Sequence, residues 1–288
     1  MDTLAASSQG REKAFSRRAF RHFLNWMLLA VLAFIIVVVI YQAIVALLSF
    51  GLGYRTLLHF GKVDSMPYFN RFWSNSRVLA IYAAPSIFLL ALTAFLLGAL
   101  LYSPKDNVQW RWVAFWLMVF SAILGTTLLS TSFVSALVAK GSLYQGFAVV
   151  TSWFGLSSAW SIGFITIAGF INIALGFISS PVLLKLAPPD FMIRKEKKSP
   201  AGIIVNSFMI PLALLGVVAF FLSYPGHVSF FALMLCHALL WLPGLFTISL
   251  ASVGSRRSRG KTTTESHSSY LLLGLTVSLI IIIRIFFI

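Results

Sequence analysis

The stretch Leu28–Leu48, LLAVLAFIIVVVIYQAIVALL, decides how the rest of the chain is read. Its β-branched run IIVVVI suits a strand. No globular strand is that long, though, and about 20 apolar residues are what a helix needs to cross a hydrocarbon core of roughly 30 Å. In lipid every backbone amide must be bonded within its own segment, so a helix is the only economical form. The run is too long for a signal-peptide core and no clean small-residue cleavage site follows it, so it reads as a retained first span.

Composition extends that reading to the whole chain. Of 288 residues only 10% are charged, where a soluble domain carries about a quarter. Mean hydropathy is +0.92. Six further runs are apolar enough to count as spans. With the first they cover about 25–51, 79–101, 113–139, 162–184, 203–223, 230–251 and 270–288. The expected fold is an all-α integral membrane protein. It is a polytopic helical bundle of seven transmembrane helices, or six if the short last segment lies in the interface. Residues 1–24 form a basic N-terminal segment and 25–288 the transmembrane domain.

The net charge of +15 would suggest nucleic acid in a soluble protein. Here its distribution gives orientation instead. Alternate loops collect sixteen Lys and Arg on one side, in clusters such as Arg11 to Arg21, Arg194 to Lys198 and Arg256 to Lys261. The opposite side has five, namely Arg55, Lys62, Arg71, Arg77 and Lys140. The positive-inside rule then makes the N-terminus cytoplasmic. No loop is large enough to present a soluble nucleic-acid face. The basic stretch FMIRKEKKSP, 191–200, should attract anionic lipid at the cytoplasmic face. REKAFSRRAFRHF, 11–23, has the mixture of Phe and Arg expected of an interfacial helix. The absence of an N-x-S/T sequon agrees with a bacterial cytoplasmic (inner) membrane.

Two stretches do not span. RTLLHFGKVDSMPYFNRFWSNSR, 55–77, is aromatic and cationic, as an outer-surface segment on headgroups would be. SLYQGFAVVTSWFGLSSAWS, 142–161, is apolar but broken by glycine and serine, which suits a re-entrant or interfacial piece. Met1 to Gly10 reads as a floppy end and Thr262 to Ser269 as a polar linker.

The seven acids, Asp2, Glu12, Asp64, Asp106, Asp190, Glu196 and Glu265, all fall in loops or tails. That removes the buried carboxylate of ion-coupled pumps and proton relays. It also removes the acidic pairs needed to hold Mg²⁺ or to run an aspartyl protease. No HExxH, P-loop or GxSxG pattern occurs. Cys236 and His237 are adjacent in LMLCHALLWLPGL, 233–245. Neighbours on a helix point about 100° apart, so they make a poor nucleophilic dyad. Two zinc ligands without a third or fourth make no zinc site. No catalytic residue, metal or cofactor is expected, and an enzyme centred on His237 is the least favoured class.

The remaining polar residues are uncharged. In GTTLLSTS, 125–132, and just beyond, Thr127, Thr131 and Ser135 form a stripe at i, i+4, i+8. Gly169, Asn172 and Gly176 share a face at i, i+3, i+7, as do His237, Trp241 and Gly244 at i, i+4, i+7. Asn206 lies in the fifth run. Pro85, Pro181 and Pro211 are placed to kink or end helices. The bland reading of these groups is close helix packing, with small residues letting backbones approach and polar ones bonding across. The sharper reading is an uncharged wall lining a substrate path. Two functions follow: transport or lipid handling through a neutral polar path, or a non-catalytic scaffold or accessory subunit. The expected partners are the bilayer and further membrane subunits or a second copy of the chain.

Overall fold

The computed structural model describes residues 2–59, 62–67, 73–102, 108–137, 145–186, 204–222, 228–251 and 276. The expected last span 270–288 therefore lies outside the described residues apart from position 276. So do the linker 262–269 and the basic stretch 191–200. Five helices are long and apolar enough to cross a membrane: Leu24–Gly51, Asn75–Tyr102, Trp110–Ser135, Ser158–Leu183 and Phe230–Thr247. None of the seven acids lies within them. The chain is a multi-pass helical membrane protein.

Helix α1, Asp2–Gly51, carries the basic segment and the first span as one helix, where the sequence suggested a floppy start and a separate interfacial helix. Strands β1, Tyr54–His59, and β2, Lys62–Pro67, then pair antiparallel with His59 opposite Lys62. The expected headgroup segment is thus partly a hairpin, the one departure from an all-helical chain among the described residues. It is tied back to the bundle. Ser49 and Ser65 share a hydrogen bond of 2.8 Å, and Tyr54, 1% exposed, stacks on Trp73 at 4.3 Å between centroids.

Helix α2, Asn75–Tyr102, and helix α3, Val108–Leu137, pack closely. Ser86 donates 2.7 Å to the Gly125 carbonyl of α3, and a Cβ on Gly125 would press within 3.2 Å of Leu90. Helix α4, Phe147–Trp153, is short, and α5, Ser158–Leu186, returns across the bundle. A π-helical turn, Val205–Met209, leads into α6, Ile210–Leu222. The sixth predicted span is two helices, α7, Val228–Leu239, and α8, Leu242–Ala251.

Proline explains the irregular turns. α2 carries a second π-helical turn at Leu79–Ala83, and in both cases proline follows two residues later, at Pro85 and Pro211. A proline ring cannot donate to the carbonyl four residues back and would collide with it. A wider turn just before the ring removes the collision without ending the helix. Pro181, by contrast, is carried inside α5. Pro243 occupies the second position of α8, where its missing N–H has no intrahelical partner to lose.

The core is centred on α3, the most buried span. Trp116, Phe120, Phe34, Phe115 and Trp241 are all at 1% exposure or less. Trp116 stacks on Phe208, and Phe208 on Trp241, at 5.8 and 6.1 Å. This aromatic column joins α3, the π-helical turn before α6 and the break between α7 and α8.

Candidate functional site

Asn172 is 0% exposed and sits at the middle of α5. Its Oδ1 accepts 2.8 Å from the Trp241 indole N–H. Its Nδ2 lies 2.8 Å from Thr126 Oγ1, 2.9 Å from the Ala168 carbonyl and 3.1 Å from His237 Nδ1. Trp241 can only donate and a carbonyl can only accept, so these two partners fix the orientation of the amide. Two N–H hydrogens then face three acceptors, with the longest contact, to His237, shared. Thr126 donates in turn 2.7 Å to the Ala122 carbonyl, which leaves its oxygen to accept from Asn172. The result is an uncharged polar centre linking α3, α5, α7 and the α7–α8 break.

Because Nδ1 of His237 accepts, its ring carries the proton on Nε2. That Nε2 is buried and has no hydrogen-bond partner. His237 itself is 3% exposed, while Cys236 is exposed on the other side of α7. The two adjacent residues diverge, as helical geometry requires.

Backbone contact holds the centre together. A Cβ on Gly176 would meet the Trp241 carbonyl at 2.5 Å, and one on Gly244 would overlap the backbone of Gly176 and Phe177. The two faces read from the sequence, Gly169–Asn172–Gly176 and His237–Trp241–Gly244, therefore dock on each other. The helix break lies within that contact. Trp241 N–H bonds back only three residues, to Ala238, and Pro243 removes another donor two residues on.

The predicted α3 stripe divides. Thr131 reaches a different element: its hydroxyl lies 2.7 Å from the Leu128 carbonyl and 2.8 Å from the Gln145 carbonyl, and it accepts from Ala148 N–H at 3.3 Å. It clamps the start of α4, where Gly146 has φ +55° and a Cβ would meet the Leu128 carbonyl at 2.9 Å. Of the expected stretch 142–161, residues 145–157 thus form a short helix turned in against α3 and a tight bend into α5, residues 158–161 begin α5, and 142–144 lie outside the described residues. Trp153 donates 3.0 Å to Asn75 Oδ1. Ser135 only donates to its own helix, 3.2 Å from the Ser132 carbonyl. Thr127 is 0% exposed with an unpaired hydroxyl. Asn206 lies in the π-helical turn, and its side chain is outside the described residues.

The group that joins Asn172 is Thr126, one residue from Thr127 of the expected stripe. Thr126 and Ser130 form a second i, i+4 series in the same motif, and periodicity offers no ground for choosing between the two. Gln145 was also missed. It is 2% exposed, and both polar atoms of its side-chain amide are unpaired. Among the described residues no three of His, Cys, Asp or Glu converge. Comparison with protein-family models, curated proteins and solved structures finds no match.

Proposed function

We propose that this chain is a transport or lipid-handling protein that moves an uncharged substrate along a neutral polar path through Asn172 and His237. The observation that carries the reading is the unpaired, buried Nε2–H of His237 beside a fully engaged Asn172. An unmet donor in hydrocarbon costs free energy, and packing alone gives no reason to keep it. Its place at an interrupted spanning segment supports the reading, because broken helices at mid-depth are where transporters put their sites. The absence of acids from the five spans argues against proton or cation coupling through a buried carboxylate. In the full proposal seven helices span a bacterial cytoplasmic membrane, the N-terminus is cytoplasmic, and the basic loops hold anionic lipid. Thr127 and Thr131 line the outer half of the path.

A scaffold or accessory subunit is the second reading. It is favoured by the saturation of Asn172 and by the backbone contact between α5 and α8, both of which make for a rigid bundle. Thiol labelling separates the two. Thr127→Cys in a Cys236→Ser background replaces an unpaired hydroxyl, so it breaks no bond. Reaction with a membrane-impermeant thiol reagent in intact vesicles is expected for a path. Labelling only after unfolding would remove the transport reading and leave the scaffold.

A further inference from the structure

The geometry points to a binding site for a small neutral amide or urea-class solute, built from the side-chain amide of Gln145 and the hydroxyl of Thr127. Thr131 holds the Gln145 carbonyl at 2.8 Å, and Gly146 rests on Leu128. The backbone of Gln145 and Gly146 therefore lies beside Leu128 and Thr131 of α3, within a turn of Thr127. Thr127 is one turn from Thr131, about 5–6 Å away between Cβ atoms. Both Gln145 and Thr127 are buried, at 2% and 0% exposure. Between them they leave Oε1, Nε2 and Oγ1 without a partner. Neighbouring polar groups in this motif are satisfied: Thr126, Ser130, Thr131 and Ser132 each bond a carbonyl.

An amide presents an acceptor and a donor side by side in one plane. Its best complement is a second amide or a urea, which returns a donor and an acceptor in the reverse order. The hydroxyl of Thr127 can take up the remaining group of such a ligand. A charged ligand does not match, because none of these three atoms belongs to an ionised group and no acid lies in the five spans. The clamp suits such a site as well. Thr131 fixes the backbone of Gln145 and leaves its side chain uncommitted, while the left-handed Gly146 sets the turn into α4. Thr127 neighbours Thr126 in sequence but points about 100° away from it, so the site is separate from the Asn172 centre. The assignment rests on the transport reading for its role, and its test reads binding apart from passage.

The full chain in nanodiscs, labelled with 15N-glutamine, has four glutamine side chains, Gln9, Gln42, Gln109 and Gln145. The Gln145 amide signal is the one lost in Gln145→Leu. Acetamide is expected to shift that signal saturably, and N,N-dimethylacetamide, which has no N–H, is not. Thr127→Val should weaken acetamide binding about tenfold, the worth of one hydrogen bond. Gln145→Leu should abolish binding and melt at or above the wild-type temperature, because two unpaired polar atoms have been removed. An equal response to both amides overturns the solute class. So does a Gln145 amide that exchanges with water and ignores acetamide, since water then fills the site. A lower melting temperature for Gln145→Leu overturns the site itself, because the amide would then be bonded within the fold. If acetamide binds while the Thr127→Cys protein stays unlabelled, the site stands and the path does not.

Discussion

Replacing Asn172 by leucine tests the polar centre most directly. Leucine keeps the branching of asparagine but is bulkier, so some overpacking adds to the loss of hydrogen bonds. Thr126 keeps its bond to the Ala122 carbonyl and is little affected. Trp241 loses the acceptor 2.8 Å from its N–H, and His237 loses the donor 3.1 Å from Nδ1. Each buried group left unpaired costs roughly 1–3 kcal/mol. Bonds within membranes have measured smaller, at about 0.6 kcal/mol on average, because the unfolded chain in lipid also finds partners. Two orphaned groups then give a destabilisation of about 1–6 kcal/mol. Reversible unfolding by steric trapping in bicelles reads this directly. The control is Trp241→Phe, alone and combined with Asn172→Leu. Once the indole N–H is gone, removal of its acceptor should cost about 1 kcal/mol less. An Asn172→Leu protein within about 0.5 kcal/mol of wild type, or strict additivity of the two changes, would refute the centre as described.

Two further outcomes follow from the packing. Gly176→Ala and Gly244→Ala should each destabilise by about 1–3 kcal/mol in the same assay, since the added Cβ must force two backbones apart; Gly163→Ala, which meets nothing within 4 Å, should be neutral or slightly stabilising. Thr131→Val removes the grip on Gln145 and Ala148, and should speed amide hydrogen exchange in Phe147–Trp153 about tenfold without changing the middle of α5, whereas Thr131→Ser should keep wild-type protection.

Much of this architecture was legible because lipid imposes so few solutions. Run length alone located the five helices long and apolar enough to cross, although the run 203–223, also read as a span, is not among them; the lack of acids in the five followed directly. The glycine–asparagine face of α5 and the His237–Trp241–Gly244 face were each readable from periodicity. That they meet was not, because periodicity describes one helix and docking requires two. The π-helical turns were invisible beyond the prolines that cause them. A proline announces a disturbance, and the surroundings decide whether the helix kinks, widens or runs on, as it does at Pro181. The division of the α3 stripe was hidden for another reason. Thr126 and Thr127 are chemically identical, and about 100° of rotation about the helix axis determines which one faces Asn172. Gln145 carried no periodic signal at all, since it lies outside any long helix.

The uncharged groups at mid-depth divide by what they accomplish. The Gly176–Gly244 contact sets how near α5 and α8 approach, and small residues alone would suffice for that. Sliding along a smooth apolar interface costs little, so distance does not fix register. The Asn172 bonds to Trp241 and His237 do, because any shift of one residue breaks both and leaves their atoms unpaired in hydrocarbon. Stability and register together thus account for Asn172, Thr126, Trp241 and the Nδ1 side of His237. They do not account for the His237 Nε2–H, the Thr127 hydroxyl or the Gln145 amide, nor for the buried Ser121 hydroxyl and Trp116 indole N–H. Leucine, valine and phenylalanine at those places would pack with no unmet bond. Groups that a fold does not need, kept where they cost most, are where an uncharged ligand is to be sought.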